Sequence, residues 1–423
     1  MAYVRRIIDD EIDELFVALA ALSIEGPKAV GKTETALQRA RTVRRLDDPA
    51  QAALIRAEPA RVTAGEAPIL IDEWQRVPES WDAVRRAVDA DASPGRFLIT
   101  GSASPASPPT HSGAGRIVRL RLRPMSLAER GIETPSVSLR EVLEGGKPRL
   151  EGETATGLAE YAEEVVASGF PAIRPLPPRA RGVQLESYLA RVVDRDFEEV
   201  GQAVRRPDTL RRWMAAYAAA TSTTASLESI RDAATSGEAD KPARSTVLQY
   251  RDVLSRLWLL DPVAAWIPSR NYFSRLAHPD KHHLADPALA TTLLGVGAEG
   301  LLEGREGTVP LPRDGTLLGH LFESLVTQSV RVYAQAAEAH VRHLRTKGGR
   351  HEVDIIVERR DGRVLAMEVK LARDVTDEDV KHLRWVQEHV GSDLLDAVVV
   401  TSGPVAYRRQ DGIGVVPAVL LGA

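Results

Sequence analysis

The stretch GPKAVGKT, residues 26–33, decides the reading of this chain: Gly26, Pro27, Lys28, Ala29, Val30, Gly31, Lys32 and Thr33 fit G-x-x-x-x-G-K-T. An apolar run at Leu22–Glu25 precedes it and a helix-compatible segment follows from Thr33, the setting that gives the pattern its meaning. Glycines at both ends let backbone N–H groups wrap phosphates, a lysine reaches the β- and γ-phosphates, and the hydroxyl next to it holds Mg²⁺. ATP and Mg²⁺ are therefore the expected cofactors, with all eight residues in contact with the nucleotide.

Working outward, residues 1–130 alternate helical and strand-like patches. A helix is expected near Arg5–Leu19, strands at Leu22–Glu25, Ile69–Ile71 and Phe97–Thr100, and a helix from Thr33, which reads as α/β with a parallel sheet. The second strand ends on Asp72 and Glu73, placed to support the magnesium and to polarise the attacking water; a solvated acidic strand end is the plain alternative. The third runs into Thr100 and Ser102, hydroxyls suited to sensing a γ-phosphate. Residues 103–114 are rich in Ser, Pro and Gly and read as a flexible surface loop. Beyond them Arg116 is a candidate arginine finger, acting on its own or a neighbouring subunit's nucleotide, or else a surface charge. Arg119, Arg121 and Arg123 alternate as one solvated strand face would.

Together with LIDEWQRVP (70–78), LITGSAS (98–104), AGRI (114–117), LRPMSLAE (122–129), SGFP (168–171), YLARVVDRD (188–196) and KHHLADPAL (281–289), the loop resembles the bacterial AAA-type ATPases that carry a C-terminal domain of unknown function. The resemblance covers most of residues 20–290 and implies ATP binding, a helical winged-helix-like middle and a restriction-endonuclease-like end of the PD-(D/E)xK kind. SGFP departs from a more usual double-glycine form. Assembly into a homo-oligomer is also implied by the resemblance alone.

The expected organisation is an AAA-type P-loop domain at 1–130, a helical lid or connector at 131–200, a winged-helix-like domain at 201–295 and a restriction-endonuclease-like domain at 316–423. Glycines at 295, 297, 300, 304, 307, 315 and 319 suggest a linker between the last two. In the middle, helices are expected over Asp208–Ala219, Leu227–Ala234 and Ser245–Arg256, followed by a strand Leu257–Leu260. The third would present Arg244, Ser245, Thr246, Gln249, Tyr250, Arg251 and Arg256 to DNA; packing is the alternative. Nine basic against seven acidic residues over 201–262 leave a weak electrostatic footprint.

Near the C-terminus, Glu323 falls on a helix Leu317–Tyr333, Asp354 on a strand Glu352–Val357, and Glu368 and Lys370 on one face of a strand Val364–Lys370. If Arg360-Asp361-Gly362 forms a three-residue hairpin loop, Asp354 lies opposite Glu368. Glu323, Asp354 and Glu368 then read as ligands for Mg²⁺ or Mn²⁺, with Glu368 and Lys370 serving hydrolysis of a phosphodiester. A nuclease-like fold used for binding, an unrelated α/β domain and a plain Glu–Lys pair on a strand are the alternatives. A helix Asp377–Val390 and a strand Leu395–Thr401 follow, with Lys381 or Gln387 as helpers. His282 and His283, beside Asp286, read as an ordinary surface segment.

Composition bounds these readings. The chain has 423 residues, 43% hydrophobic and 27% charged, so it folds into several domains rather than staying disordered. With no cysteine, disulfides, thiolate zinc sites and thiol nucleophiles are excluded. A net charge of −4 gives no whole-molecule pull toward DNA, so any such contact is local. Only eight of the 55 basic residues are Lys, so a retained Lys marks a place for a compact ammonium. The early apolar stretch Leu15–Ile24 is too short to span a bilayer and follows acidic residues, so the expectation is a cytoplasmic protein without membrane contact, whose partners are ATP, DNA or another protein.

Overall fold

The computed structural model describes residues 3–102, 112–202, 204–235, 241–268, 278–303 and 315–423. Most of the 103–114 loop and the stretch 304–314 within the expected glycine-rich linker thus lie outside the described residues.

Five parallel strands form the N-terminal sheet: β1 (Ala21–Glu25), β2 (Thr42–Arg45), β3 (Ile69–Asp72), β4 (Phe97–Gly101) and β5 (Val118–Arg121), in the order β2-β3-β4-β1-β5. Alternate residues serve opposite faces. Leu22, Ile24, Leu70 and Leu98 pack with Ile8, Ile12 and Phe16 of the helix Ile7–Phe16. Ala21, Ile69, Ile71, Phe97 and Ile99 pack with Trp74, Trp81, Val84 and Val88 on the other side. Both faces of β1, β3 and β4 are covered, which is why those three read as short unbroken apolar runs, whereas the edge strands β2 and β5 are more exposed. The order brings the carboxyl ends of β1, β3 and β4 side by side, where open parallel sheets hold ligands.

Short strands β6 (Val137–Ser138), β7 (Gly152–Glu153) and β8 (Ala265–Trp266) link this part to the C-terminal one. There the helix Gly315–Ala336 leads to β9 (His340–Arg345), β10 (Glu352–Glu358) and β11 (Val364–Lys370); the helix Lys381–Val390 then precedes β12 (Leu394–Thr401), β13 (Val405–Arg408) and β14 (Gly414–Pro417). The sheet runs β7-β13-β14-β12-β11-β10-β9-β8. β9, β10 and β11 form an antiparallel meander, and β12 and β14 lie parallel to β11. The last strand, β15 (Leu421–Gly422), pairs with β6. Pairing of Ile355 with Met367 through Glu358 with Val364 fixes the expected register, which extended by one residue sets Asp354 opposite Glu368. Gly362 turns the hairpin at φ 83°, and Arg359 N donates to Arg363 O at 2.9 Å.

The middle is helical, with Pro207–Ala219, Leu227–Ala233 and Arg244–Arg256 close to their expected bounds. The expected strand Leu257–Leu260 does not form. Leu257 caps the third helix and Trp258 turns the chain at φ 62°, leaving only isolated bridges, Leu260 to Leu284 and Val263 to Lys281. Tyr250, expected to face DNA, is instead buried, its ring edge-on to Phe197 and tilted against Trp213. Among the described residues no helix is long and apolar enough to cross a membrane.

Candidate functional site

The loop after β1 carries its conformation in its glycines. Gly26 sits at φ 156°, where a Cβ would come within 2.2 Å of the Leu122 carbonyl oxygen; Gly31 sits at φ 104°, in the region that disfavours side chains. Lys32 opens the helix Lys32–Leu37 and folds its ammonium back over the loop, donating to the carbonyls of Gly26 at 2.9 Å and Pro27 at 2.7 Å. Burial pushes that ammonium down to about 8, although Glu73 and Asp72 nearby oppose the shift. A phosphate would supply the missing counter-charge.

Thr33, Asp72 and Thr100 meet across β1, β3 and β4. The Thr33 hydroxyl donates to Asp72 Oδ1 at 2.8 Å, and the Thr100 hydroxyl donates to the same oxygen. This hydroxyl–carboxylate pair is a hard-oxygen set suited to Mg²⁺. Glu73 follows at φ 56°, a left-handed turn that lifts its carboxylate off the strand end. Gln75 Nε2 donates to Glu73 Oε2, and Ser102 Oγ donates to it at 3.2 Å, so Ser102 and Glu73 do converge. Arg116 does not join them: half-exposed, it donates to Asp89 Oδ1 at 2.8 Å and to its own turn at Ala114 O.

Residues far along the chain close over this loop. Lys28 pairs with Asp196 at 2.6 Å and Glu199 at 2.8 Å, and Glu199 also meets Arg76 at 3.1 Å. Asp196 ends a widened π-type turn, Val192–Asp196. The ring of Pro171 lies against Gly31, 3.7 Å from where a Cβ would stand. Ser168 stands where the double-glycine form has glycine, at φ 68°; its hydroxyl and the Gly169 N–H both donate to Asp286 Oδ2, at 3.0 and 2.6 Å. That anchor holds a strained serine where glycine would rest freely.

The C-terminal acidic cluster corrects the expected metal shell. Asp354 and Glu368 are brought together as the register requires, with Val369 N donating to Asp354 Oδ2 at 3.0 Å and Lys370 Nζ to Glu368 Oε1 at 2.8 Å. Glu323 and Asp354, however, are bridged by a residue to which the sequence reading assigns no role. Lys281 Nζ lies 2.9 Å from Glu323 Oε1, 3.1 Å from Asp354 Oδ1 and 3.6 Å from Glu352 Oε1. Among the described residues no three acidic or histidine side chains are gathered around a metal-sized space. Glu323, Asp354 and Glu368 therefore do not form one metal shell here; an ammonium holds two of them. Burial and the neighbouring Asp354 push Glu323 up to about 8 and also raise Glu368. Burial alone would raise Asp354 and lower Lys281, but attraction to Lys281 lowers Asp354, and attraction to Glu323 and then Asp354 raises Lys281. The signal that could have found Lys281 is its being one of eight retained lysines, inside the KHHLADPAL motif. His282 and His283, expected on a surface segment, are instead buried, meeting the Ala225 carbonyl at 2.7 Å and Ser324 Oγ at 3.2 Å. Lys381 is exposed and pairs with Glu378.

Arg121 and Arg123, expected on a solvated face, turn inward: both reach Asp261, which Arg331 approaches from the helix Gly315–Ala336. Only Arg119 of that alternating set stays exposed.

Three protein families match successive parts of the chain. A family described as "AAA domain" matches residues 20–130. Two described as domains of unknown function, DUF8612 and DUF4143, match residues 158–300 and 318–421. The uncharacterized proteins Mb2031c of Mycobacterium bovis and Rv2008c of Mycobacterium tuberculosis are each 24% identical over 404 residues, 93% of this chain and 79% of theirs. A solved structure titled as a point mutant of Thermotoga maritima RuvB is 16% identical, covering 60% of this chain and 87% of that one, at a TM-score of 0.26. Residues 20–130 are thus a P-loop AAA-type ATPase region.

Proposed function

We propose, from that ATPase region, that the chain is an ATP-hydrolysing switch whose nucleotide state is passed to its C-terminal half. The observation that carries the reading is the convergence of Lys32, Thr33, Asp72 and Glu73 at the carboxyl ends of β1 and β3, the two strands that flank β4. In this reading the loop amides and Lys32 bind the phosphates of ATP. Thr33 and Asp72 hold Mg²⁺, which when bound neutralises charge on the β- and γ-phosphates. Glu73 takes a proton from the attacking water, and Ser102 orients Glu73. Arg116 is held by an exposed pair with Asp89 that must open before the guanidinium can reach a nucleotide on its own or a neighbouring subunit. The domain limits 1–130, 131–200, 201–295 and 316–423 belong to this proposal.

Coupling is supported by the segment Lys281–Asp286. One end fills the acidic cluster, and the other anchors Ser168 and Gly169, two residues from the proline that rests on Gly31. For the C-terminal half, a DNA-directed, metal-dependent nuclease with Glu368 and Lys370 at its centre requires the Lys281 ammonium to leave Glu323 and Asp354. A nuclease-like fold that engages a partner without cutting requires no such movement, and Lys281 favours this second reading. Incubating DNA with the protein, Mg²⁺ or Mn²⁺ and ATP tests the choice. Intact DNA supports a non-cutting domain, and cutting abolished by Glu368→Ala establishes the nuclease.

A further inference from the structure

Asp261 carries more positive charge than one carboxylate can answer. Arg121 and Arg331 approach its Oδ1 at 2.9 Å each, and Arg123 Nε donates to Oδ2 at 2.8 Å. Neither approach to Oδ1 has hydrogen-bond alignment, and Arg121 Nε is buried without a hydrogen-bond partner among the described residues. Arg331 spends one nitrogen on the carbonyls of Asp261 and Pro262. Among the described residues three guanidiniums share one buried carboxylate, with only a weaker attraction from Glu25 and the Trp258 ring on Arg121, so positive charge stays in excess, a costly arrangement for a protein to keep unless something answers it.

Above this triad lies an open groove of about 500 Å³, between the free edge of β5 and the start of β9. Arg119, Arg342 and Arg360 stand on its rim. Their carboxylate partners are the largely buried Glu25 at 3.2 Å, Glu358 at 3.7 Å and the exposed Glu338 at 3.1 Å, while the Arg119 and Arg360 guanidiniums themselves stand in solvent. Such pairs are weak and exchange readily for a better anion. The other acidic wall residue, Glu11, accepts from Gln335, and burial raises its carboxyl toward the neutral form. Burial among like charges also depresses the Arg121 and Arg331 guanidiniums, to about 10 and about 9, as expected of cations short of counter-charge.

We propose that this groove binds the phosphodiester backbone of single-stranded nucleic acid. Arginine forks suit phosphate oxygens bidentately. The deep triad accepts a phosphate that an extended, flexible strand can lower into the groove, whereas a rigid duplex presents its phosphates on a convex surface. The rim arginines then take flanking phosphates. This surface is separate from the helix Arg244–Arg256 and needs neither ATP hydrolysis nor strand cleavage.

Fluorescence anisotropy of labelled oligothymidylate with the full chain, without nucleotide, tests it over a range of salt. The wild type should bind, and the variant Arg119→Ala/Arg342→Ala/Arg360→Ala should bind about tenfold or more weakly. Its salt slope should be shallower by about 2, three lost contacts at ~0.7 each. The corresponding triple Lys variant should keep most of that slope, and Arg244→Ala/Arg251→Ala should bind as wild type does. Unchanged affinity in the triple Ala variant, loss confined to Arg244→Ala/Arg251→Ala, or no binding by wild type overturns the proposal. Displacement by AMP at equal phosphate concentration would make the groove a small-anion pocket, and equal affinity for duplex would remove the single-strand claim.

Discussion

Replacing Lys281 by methionine keeps the length of the side chain and removes its charge. In the wild type that ammonium, almost wholly buried, touches Glu323 and Asp354 at 2.9 and 3.1 Å and stands 3.6 Å from Glu352. Breaking a buried pair by removing one partner costs about 3–5 kcal/mol, because the other charge stays behind in a poor solvent. Here two buried carboxylates are left, so the upper part of that range applies unless they take up protons. The loss should be local to the meander, and amide hydrogen exchange across β10 and β11 reads it directly. Protection there should fall by roughly a thousand- to several-thousand-fold, since about 1.4 kcal/mol is a factor of ten. Adding Glu323→Gln removes one stranded charge and should restore about 1–2 kcal/mol, a coupling two non-interacting sites would not show. A loss below about 1 kcal/mol in the single variant, or no recovery in the double, would refute the idea that Lys281 neutralises the cluster.

Three further outcomes follow from the nucleotide site. Above about pH 8 the depressed Lys32 ammonium loses its proton in the folded protein while the unfolded chain keeps it to about 10.5, so stability contributed by this group rises with pH through that window. Phosphates favour the ammonium, so nucleotide affinity should fall by up to about tenfold per unit above pH 8; flat affinity by calorimetry across that range contradicts the assignment. Glu199→Gln weakens its contacts with Lys28 and Arg76, which are partly exposed, so stability should change by less than about 1 kcal/mol while exchange in Val192–Asp196 rises; unchanged exchange there argues against the clasp. Ser168→Gly removes the hydroxyl contact to Asp286 but relieves a φ of 68°, so its net effect on melting should lie within about 1 kcal/mol of zero, whereas Ser168→Ala keeps the strain, loses the contact and should cost about 1–3 kcal/mol.

The three central strands of the first hundred residues are legible because each is covered on both faces and ends on its chemistry: apolar runs at Leu22, Ile69 and Phe97 lead directly to Lys32, Asp72 and Thr100, whereas the edge strand Thr42–Arg45, polar and half-exposed, gives no such run. The hairpin at Gly362 is legible for a similar reason, since a positive-φ residue and a two-residue period fix the register of Asp354 against Glu368. Lys281 escapes such a reading because its partners lie 42 and 73 residues away, and no local pattern distinguishes an ammonium inside a carboxylate cluster from a surface lysine. Arg121 and Arg123 mislead because alternation marks which face a side chain takes, not whether another segment covers that face; Asp261 and Arg331 supply the cover. Tyr250 misleads likewise: its spacing places it with exposed neighbours, but the rings of Phe197 and Trp213 come from elsewhere in the chain.

The central claim is ATP hydrolysis at the Lys32–Thr33–Asp72–Glu73 centre, and the direct test is phosphate release by wild type, Lys32→Ala and Glu73→Gln proteins, with nucleotide binding measured on the same samples. The account predicts Mg²⁺-dependent turnover in wild type, loss of both binding and turnover in Lys32→Ala, and retained binding with turnover reduced about a hundredfold or more in Glu73→Gln. Turnover that survives Lys32→Ala, or a Glu73→Gln protein as active as wild type, would contradict it.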